Sequence, residues 1–391
     1  MKTEQDYQRV YAGINLDAVM HNLEKMHTLI KDDTKIIAVI KTDGYGHGAV
    51  PIAKKIESLP YLWGFAVATQ QEGTVLRRHG IKKPVLILGH SFEEEFERIV
   101  EDDLEPAIFT YESAKVLSET AKRLKKTAKI HIKIDTGMSR IGYQVSEASA
   151  DEIAKTAELK NLKIEGVFTH FAKADEADKT HVHGQIAAYQ KMLTMLEERG
   201  VEIPLKHCSN SAGIIDFPDM KHDLARAGIS IYGMYPSDEV KKDAVDLKPA
   251  LELISHISFV KDVEKGTSIS YGGTFVAPKK MRIATIPVGY GDGYPRSLSN
   301  KGYVLIHGKR ADIVGRVCMD QFMVDVTEIP EAKFMDPVTL VGKDKDAVIR
   351  VEDLSDLSGR FNYEFVCDLS KRVPREYYKN GTIVKQIDYF E

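Results

Sequence analysis

The chain has 391 residues, of which 43% are hydrophobic and 29% are charged, and its formal net charge at pH 7 is −4. These values are typical of a soluble globular protein that is long enough for two domains, or for one large barrel with an additional unit. The 54 Lys and Arg residues are interspersed with 58 Asp and Glu residues. The sequence contains no basic stripe, which would predict a nucleic-acid partner, and no block of like charges, which would predict a disordered tail.

The cysteines and the apolar segments indicate a reducing, cytoplasmic environment. The three cysteines, Cys208, Cys318 and Cys367, are far apart and odd in number, which favours neither a disulfide framework nor a zinc site. The first residues, MKTEQDYQRVYAGINLD, contain no apolar signal core, and no segment is long and apolar enough to span a bilayer. We therefore expect a cytoplasmic protein with no metal site and no membrane partner.

In the first part of the chain, short β-rich apolar runs alternate with segments of helical character. The runs predict eight strands, at Ile36–Lys41, Trp63–Ala68, Pro84–Gly89, Pro106–Thr110, Lys129–Asp135, Ile164–His170, Pro204–Ser209 and Leu224–Tyr232. Helices are predicted at Leu16–Lys31, Phe92–Glu101, Ser113–Lys125, Ala150–Leu159 and His183–Arg199. Eight alternating strands predict a parallel sheet closed into a (β/α)8 TIM-like barrel. A doubly wound open sheet is the alternative, but no strand–helix junction carries the Gly-x-Gly-x-x-Gly dinucleotide fingerprint.

The pattern changes near Pro249. From Leu251 to about Ile329, short runs alternate apolar and polar residues and are broken by glycine, which predicts a mostly antiparallel β domain. Its strands include Arg282–Pro287, Gly302–Ile306, Phe322–Val326 and the terminal run Ile383–Phe390. The charged segment Ser237–Lys248 is interpreted as the linker. The fold class is therefore α/β, with a barrel domain over residues 1–245 and a C-terminal β domain over residues 246–391.

Lys41 stands where the first barrel strand opens into the glycine-rich loop Thr42-Asp43-Gly44-Tyr45-Gly46-His47-Gly48. Partial burial disfavours an ammonium and lowers a lysine pKa, which makes the amine a nucleophile able to form a Schiff base. The glycines allow backbone N–H groups to surround an anion, and Tyr45 can add a hydroxyl donor to a phosphate. The alternative is a surface lysine before an ordinary turn.

The other strand ends carry polar residues that in such a barrel meet at one rim. They are Arg140, His170, Asn210 with Ser211, and Arg226 followed by Gly228-Ile229. Together they predict a site for a ligand that has a phosphate and a carboxylate. Each has an alternative, because an arginine can pair with a surface carboxylate, His170 can be a core histidine, and Asn210-Ser211 can cap a helix.

Eight segments resemble, in chain order, the motifs of the alanine racemase family. They are Lys41-x-x-x-Tyr45-Gly46-His47-Gly48, Lys133-Ile134-Asp135-Thr136-Gly137-Met138-x-Arg140-Ile141-Gly142, Thr169-His170-Phe171-Ala172-x-Ala174-Asp175, His207-Cys208-Ser209-Asn210-Ser211-Ala212, Arg226-x-Gly228-Ile229, Ser270-Tyr271-Gly272, Val288-Gly289-Tyr290-Gly291-Asp292-Gly293 and Gly315-x-Val317-Cys318-Met319-Asp320. The resemblance covers essentially the whole chain. It implies interconversion of L- and D-alanine by a two-base mechanism that uses pyridoxal 5′-phosphate (PLP), supplying D-alanine for peptidoglycan, in a homodimer whose active sites are shared between subunits.

The resemblance also implies roles for matched residues. Lys41 would carry PLP and act as one catalytic base, and Tyr271 of the partner subunit would act as the other. Arg226 would donate to the pyridine nitrogen and to His170. The remaining cofactor contacts would come from Tyr45, Asn210, Ser211, Gly228, Ile229 and Tyr363. Alanine would be bound by Arg140 and the backbone N–H of Met319, with Tyr290 at the entry gate.

Two features of the sequence leave alternatives open. In many relatives the lysine that matches Lys133 is carbamylated, which predicts an anion that orients Arg140; an ordinary ion pair of Lys133 with Asp135 or a glutamate is the alternative. Many family members have Ala-Asn-Ala where this chain has Thr42-Asp43-Gly44. We expect Asp43 to add a negative charge near the cofactor loop, and Gly44 to loosen that loop.

Three other functions are considered. A racemase of serine or a basic amino acid is disfavoured by Tyr290 and Tyr363, which predict a small pocket. A non-catalytic PLP-binding protein built on the same barrel would lack the β domain, with its Tyr271 and Met319. A PLP-dependent decarboxylase would be expected to place an acidic residue at the pyridine nitrogen, where this chain has Arg226.

Overall fold

A computed structural model describes residues 7–31, 33–220 and 222–391. Within them the chain forms two compact units. The barrel unit comprises residues 20–44 and 49–248, and the β unit comprises the described residues up to Val19, Tyr45–Gly48 and Pro249–Glu391. The sequence-based division at residues 245/246 differs from this arrangement in three segments, because the described residues up to Val19 and Tyr45–Gly48 belong to the β unit and residues 246–248 belong to the barrel unit.

The barrel unit is built on eight parallel strands. In chain order these are Lys35–Val39, Leu62–Val67, Val85–Ile87, Glu105–Ile108, Ala128–Asp135, Leu162–Phe168, Leu205–His207 and Leu224–Ala227. Each strand pairs with the next, and the eighth pairs with the first, so that the sheet is closed. A short strand, Tyr143–Gln144, pairs with the fifth. All eight predicted strands and the barrel are confirmed.

The eighth strand ends earlier than its apolar run predicts. It stops at Ala227 and the chain continues as a 3-10 helix, Ile229–Tyr232. Gly228 lies between them with φ −112° and ψ −108°, which is outside the β region. The apolar residues of this run are nevertheless buried, which explains why apolar character alone predicts a longer strand.

The helices of this part of the chain are Leu16–Thr28, Ala49–Ile56, Gln70–Arg78, Phe96–Glu101, Tyr111–Arg123, Glu147–Ala157, Thr180–Glu198 and Ser211–Asp216, with further 3-10 turns at Glu93–Glu95 and Lys242–Ala244. Side-chain caps fix several helix beginnings. Thr69 and Glu72 form a capping box, and the hydroxyls of Thr110 and Ser146 accept from Ser113 N–H and Ser149 N–H. The five predicted helices are present, with ends shifted by a few residues.

The barrel strands are buried on both faces, as expected for a parallel sheet covered by helices. Four of the five residues of Lys35–Val39 are buried, and so are seven of the eight residues of Ala128–Asp135. Ile36, Ile37, Ile130 and Ile132 are fully buried. Each such side chain contributes about 1.5–3 kcal/mol through removal of its apolar surface from water. The apolar core therefore holds the strand ends that carry the polar residues.

The β unit is built on a mixed but mostly antiparallel sheet, as predicted from the sequence. Along the sheet its strands are Lys309–Asp312, Tyr303–Ile306, Pro337–Asp344, Leu251–His256, Val10–Asn15, Arg375–Lys379 and Thr382–Ile387, with Ala347–Ile349 beside Pro337–Asp344. Smaller sheets contain Phe259–Val263, Met281–Ile286 and Phe322–Asp325, and Ser268–Ile269 and Phe275–Val276. Its helices include Val351–Ser358 and Asn362–Cys367, with 3-10 turns at Tyr271–Gly273, Tyr290–Asp292 and Arg296–Leu298.

Two features are absent from the residues that the structure describes. None of their helices is long and apolar enough to cross a membrane. They also contain no group of three or more His, Cys, Asp or Glu residues arranged to hold a metal ion.

Two glycines of the barrel unit provide a matched test of its packing. A Cβ on Gly64, in the second strand, would lie 2.3 Å from the carbonyl oxygen of Pro84, whereas a Cβ on Gly184 would have no atom within 4 Å. Gly64→Ala should lower the free energy of unfolding by about 1–3 kcal/mol, because the backbone must shift. Gly184→Ala, in an exposed helix interior, should raise it by about 0.5–1 kcal/mol. Urea unfolding of both variants measures the difference, and equal stability would contradict the described packing.

Candidate active site

Lys41 begins an unusual turn at the carboxyl end of the first barrel strand. Thr42, Asp43 and Gly44 have φ values of 53°, 49° and 65°, which lie in the left-handed region that non-glycine residues rarely adopt. The N–H of Thr42 donates to Oε1 of Glu72 at 2.5 Å, and Oδ1 of Asp43 accepts from Ala49 N–H at 2.9 Å. These bonds hold the turn that carries the lysine.

The same contacts revise the interpretation of the Thr42-Asp43-Gly44 departure. Asp43 binds the first N–H of helix Ala49–Ile56, so its charge has a local structural partner. Gly44 occupies a left-handed position in which a Cβ would lie 3.1 Å from the backbone nitrogen of Ala49. The expectation that Gly44 loosens the loop does not agree with this geometry, because the glycine meets a steric requirement of a closely packed turn.

Arg226, in the eighth strand, connects the ends of several strands. It is only 2% exposed. Its Nη2 donates to the carbonyl oxygens of Thr169 and Cys208, both at 2.8 Å, and lies 3.2 Å from Nδ1 of His170. Its Nη1 lies 2.8 Å from Nδ1 of His207. Since a guanidinium has only donors, both imidazoles must accept through Nδ1.

The residues at this rim form a cluster of positive charge. Burial, followed by the charges of Arg226, Arg140, Lys133 and Lys41, lowers the pKa of His170 well below its ordinary value. Burial also lowers the pKa of Arg226 to about 10. His170 is therefore a neutral imidazole with its proton on Nε2, because its Nδ1 accepts from Arg226. Cations gathered in this way favour a ligand with several negative charges.

Lys133 lies inside the fifth strand and is 3% exposed. Its Nζ donates to the carbonyl oxygen of Ile134 at 2.9 Å and lies over the ring of Phe168, 5.2 Å from the centroid. Burial first, and then the charge of Arg226, lowers its pKa to about 7. No ion pair of Lys133 with Asp135 or with a glutamate is found in the described part of the chain. The ordinary ion pair is therefore not observed among the described residues, although the nearby charge of Asp135 acts to raise the Lys133 pKa.

Asp135 organises the turn that precedes Arg140. Its Oδ1 accepts from the N–H groups of Gly137, Met138 and Ser139 at 2.9, 3.0 and 3.1 Å. Arg140 itself is exposed, and its guanidinium makes no hydrogen bond or ion pair to another described residue. The alternative in which Arg140 pairs with a surface carboxylate is thus not observed, and the guanidinium is available to a ligand carboxylate.

The ends of the seventh and eighth strands meet at the beginning of helix Ser211–Asp216. Oδ1 of Asn210 accepts from Gly213 N–H at 2.9 Å, which is the helix-capping role considered as its alternative. Oγ of Ser211 accepts from Gly228 N–H at 2.9 Å. The hydroxyl proton of Ser211 remains for another acceptor. Ile229, the next residue, is fully buried.

The predicted residues of the β unit fall into two groups. The ring of Tyr45 lies 5.9 Å from that of Tyr363, which stacks on Phe361 at 4.5 Å. Tyr271 and Met319 line one concavity of about 620 Å³, and they are 72% and 53% exposed. The segment that carries Tyr290 binds the Met319 segment through Tyr290 N–H to Cys318 O at 3.1 Å and Gly291 N–H to Met319 O at 2.8 Å.

The sequence-based interpretation gave no role to His207 or Glu72. Both belong to recognisable patterns, since His207 lies in the predicted strand Pro204–Ser209 and Glu72 follows Thr69 at the capping-box spacing. The contact of His207 with Arg226 could not be predicted from the sequence, because it depends on closure of the barrel.

Two family profiles match this chain. "Alanine racemase, N-terminal domain" matches residues 14–236, and "Alanine racemase, C-terminal domain" matches residues 250–377. The chain belongs to the alanine racemase family. The resemblance stated from the sequence motifs is thereby confirmed.

Individual members of the alanine racemase family are similar over nearly their whole length. The alanine racemase of Desulforamulus reducens is 44% identical over 368 residues, covering 94% of this chain and 98% of that protein. The solved alanine racemase of Clostridium difficile 630 is 41% identical, with a TM-score of 0.95 over 99% of this chain and 100% of that one. That of Bacillus anthracis, solved with bound L-Ala-P, is 36% identical, with a TM-score of 0.92 over 99% of each chain.

The Asp135 turn can be tested by substitution. Asp135→Ala should lower the free energy of unfolding by about 1–2 kcal/mol, because three N–H groups lose their acceptor. Asp135→Asn keeps a side-chain oxygen and should lose less. Urea unfolding near pH 7 measures both, and equal losses would contradict the described turn.

The same two variants test the titration of Asp135. Burial raises the pKa of this carboxyl, but the hydrogen bonds from Gly137, Ser139 and Met138 outweigh burial and hold the pKa below its ordinary value. The ionised Asp135 therefore stabilises the folded chain at a pH above about 3.9, the carboxyl pKa in the unfolded chain. This contribution is lost as the pH falls through the lower pKa of the folded chain. The original chain should lose more stability in acid than Asp135→Asn does.

Proposed function

We propose that this protein interconverts L-alanine and D-alanine by a two-base mechanism with PLP as cofactor, and that its product supplies peptidoglycan synthesis. Membership of the alanine racemase family supports the reaction. The observation that carries the proposal is the cluster of Lys41, Lys133, Arg140 and Arg226 around a neutral His170. A phosphate and a carboxylate are the groups that such a cluster suits.

The residues at the barrel rim fit PLP. The Ser211 hydroxyl can donate to a phosphate, and Asn210 fixes the helix on which Ser211 stands. We assign the backbone at Gly228-Ile229 to the same phosphate, although in this structure the N–H of Gly228 donates to Oγ of Ser211. Arg226 is held as a permanent donor and suits a pyridine nitrogen that carries no proton. We assign the phosphate also to Tyr45 and Tyr363. When bound, PLP supplies an electron sink for the negative charge that forms at the substrate Cα.

Racemisation requires that a Cα proton leave from one face and that another be delivered to the opposite face. We assign the first face to the amine of Lys41, serving the D-enantiomer, and the second to Tyr271 of the partner subunit, serving the L-enantiomer. A tyrosine hydroxyl has an ordinary pKa of about 10, so it needs donors or positive charge nearby to act as a base. The Nε2–H of His170 and the guanidinium of Arg140 are suitable groups.

Substrate recognition is assigned to both units. The free guanidinium of Arg140 and the backbone N–H of Met319 would bind the alanine carboxylate. Tyr290 and Tyr363 would restrict the entry to a small side chain. A racemase acting on serine remains the alternative, and its side chain differs from that of alanine by one hydroxyl group.

The activity is tested by incubating the purified protein with L-alanine, and separately with L-serine, with and without added PLP. Chiral chromatography of the products should give D-alanine in a PLP-dependent reaction, and much less D-serine. Lys41→Ala should abolish the reaction and the borohydride-stable attachment of the cofactor. If no D-alanine forms with PLP present, the proposed function is wrong; if D-serine forms faster, the substrate is serine.

Shared sites are tested by mixing two inactive variants, Lys41→Ala and Tyr271→Phe. In a mixed dimer with shared sites, one site contains both intact residues and the other contains neither. If subunits exchange at random, half the dimers are mixed, so activity should recover to about a quarter of the original value. Variants mixed without subunit exchange provide the control. No recovery despite proven exchange would show that each subunit uses its own two bases.

We also propose that Lys133 is carbamylated. A pKa of about 7 leaves much of the amine neutral at physiological pH, and only the neutral amine attacks CO2. The ammonium first loses one proton; the neutral nitrogen then forms a bond to the CO2 carbon, one C=O electron pair moves to oxygen, and the nitrogen loses a second proton, so that a cation becomes an anion. This change would give Arg226 and Arg140 a negative neighbour in place of a positive one, which electrostatics favours.

Carbon-13 NMR tests this modification. Protein equilibrated with 13C-bicarbonate should give a carbamate resonance that is lost in Lys133→Arg. Because burial lowers the lysine pKa from 10.5 to about 7, the signal should decrease as the pH falls below about 7. An unmodified Lys133 at pH 8 with saturating bicarbonate would contradict the proposal.

A further inference from the structure

A line of four buried side chains crosses the interior of the barrel unit. Arg226, His207, His131 and Glu105 come from the eighth, seventh, fifth and fourth strands, and none is more than 2% exposed. Beyond the 2.8 Å contact of Arg226 with His207, Nε2 of His207 lies 3.1 Å from Nδ1 of His131. Nε2 of His131 lies 3.0 Å from Oε2 of Glu105. The line thus runs from the buried guanidinium of Arg226 to Glu105, the first residue of the fourth strand.

The chemistry of the end groups fixes the direction of every hydrogen bond in this line. Arg226 can only donate, so Nδ1 of His207 accepts and the proton of this neutral imidazole is on Nε2. Burial, followed by the charge of Arg226, lowers the pKa of His207 well below its ordinary value, which agrees with a neutral ring. His207 therefore donates to Nδ1 of His131, and His131 donates through Nε2 to the Glu105 carboxylate.

The charges at the two ends complement each other. A buried guanidinium without an anion is unfavourable, and no carboxylate lies within ion-pair distance of Arg226 among the described residues. Glu105 is buried as well; its Oε1 lies 3.8 Å from Nζ of the half-exposed Lys129. Two polarisable imidazoles join the cation to the anion, so each buried charge gains partners without direct contact.

The rings in the line are held by aromatic packing. His207 stacks on Phe168 with ring centroids 4.9 Å apart and an interplanar angle of 5°. His131 lies edge-on to Trp63 at 5.5 Å. Neither imidazole can rotate freely without disturbing these contacts, which keeps Nδ1 of His207 directed at Arg226.

We propose that Glu105, His131 and His207 are positioning residues for Arg226. They fix the protonation pattern of the two imidazoles and thereby the orientation of the guanidinium, so that its remaining N–H groups face the ligand. The identity of that ligand as PLP rests on the proposed function. The line of hydrogen bonds does not rest on the proposed function, because it is present in the protein without cofactor.

The first test is NMR of the cofactor-free protein labelled with 15N-histidine, with resonances assigned through His131→Gln and His207→Gln. Both rings should be neutral tautomers protonated on Nε2 near pH 7. A ring protonated on Nδ1 would overturn the proposal, since one hydrogen bond in the line would then have two donors or none. This result is independent of whether the chain racemises alanine.

The second test compares Glu105→Gln with Glu376→Gln. Glu376 is a buried carboxylate of the β unit that accepts from Tyr378 and Gln386, so its variant controls for the loss of a buried charge. Glu105→Gln should shift the His131 and His207 resonances and the absorbance maximum of bound PLP, and should weaken PLP binding about tenfold, a typical effect of losing an outer partner of a ligand-holding group. Glu376→Gln should change none of these. Unaltered resonances and absorbance in a folded Glu105→Gln protein would overturn the proposal.

Discussion

The burial of the Arg226 guanidinium is the constraint on which the candidate site depends. A permanent cation at 2% exposure must be surrounded by acceptors, and the barrel supplies two carbonyl oxygens and two imidazole nitrogens. These acceptors lie in or follow the sixth and seventh strands, whereas Arg226 lies in the eighth, so the guanidinium links the ends of three strands to one another. It also sets the tautomers of His170 and His207, so the protonation of the rim follows from one side chain.

The two units contribute different chemistry. The barrel unit gathers cations and neutral imidazoles. Burial lowers the pKa values of Lys133, His170 and Arg226, neighbouring cations lower those of Lys133 and His170 further, and positive charge is left for a ligand to compensate. The β unit contributes aromatic hydroxyls and a backbone segment, with Tyr271 and Met319 on an exposed concavity. The cation cluster is costly for the protein alone, and binding of an anionic ligand would relieve it, so ligand binding and stability are thermodynamically linked.

The sequence predicted the barrel well because parallel strands buried on both faces are near-continuous apolar runs. The sequence was less informative about the pairing of strands that are far apart in the chain. Val10–Asn15 pairs with Leu251–His256 and Arg375–Lys379, and nothing local to the strand indicates these partners. The short helix Ala49–Ile56 contains Pro51, and Gln70–Arg78 contains Gly73, which weakens the helical signal. Motifs indicated the site residues, but the contacts of His131, His207 and Glu105 arise only from barrel closure.

The arrangement of the first strand has a consequence for the order in which the protein is made. The barrel unit is an insertion in the chain of the β unit, because all of its residues lie between Val10–Asn15 and Leu251–His256. During synthesis the barrel can close while the N-terminal strand still lacks both neighbours. That strand becomes an interior strand only when Arg375–Lys379, near the end of the chain, has left the ribosome. Before Leu251–His256 is made the strand has two unpaired edges, and one edge stays unpaired until Arg375–Lys379 follows. Unpaired edges are surfaces that promote association with other chains.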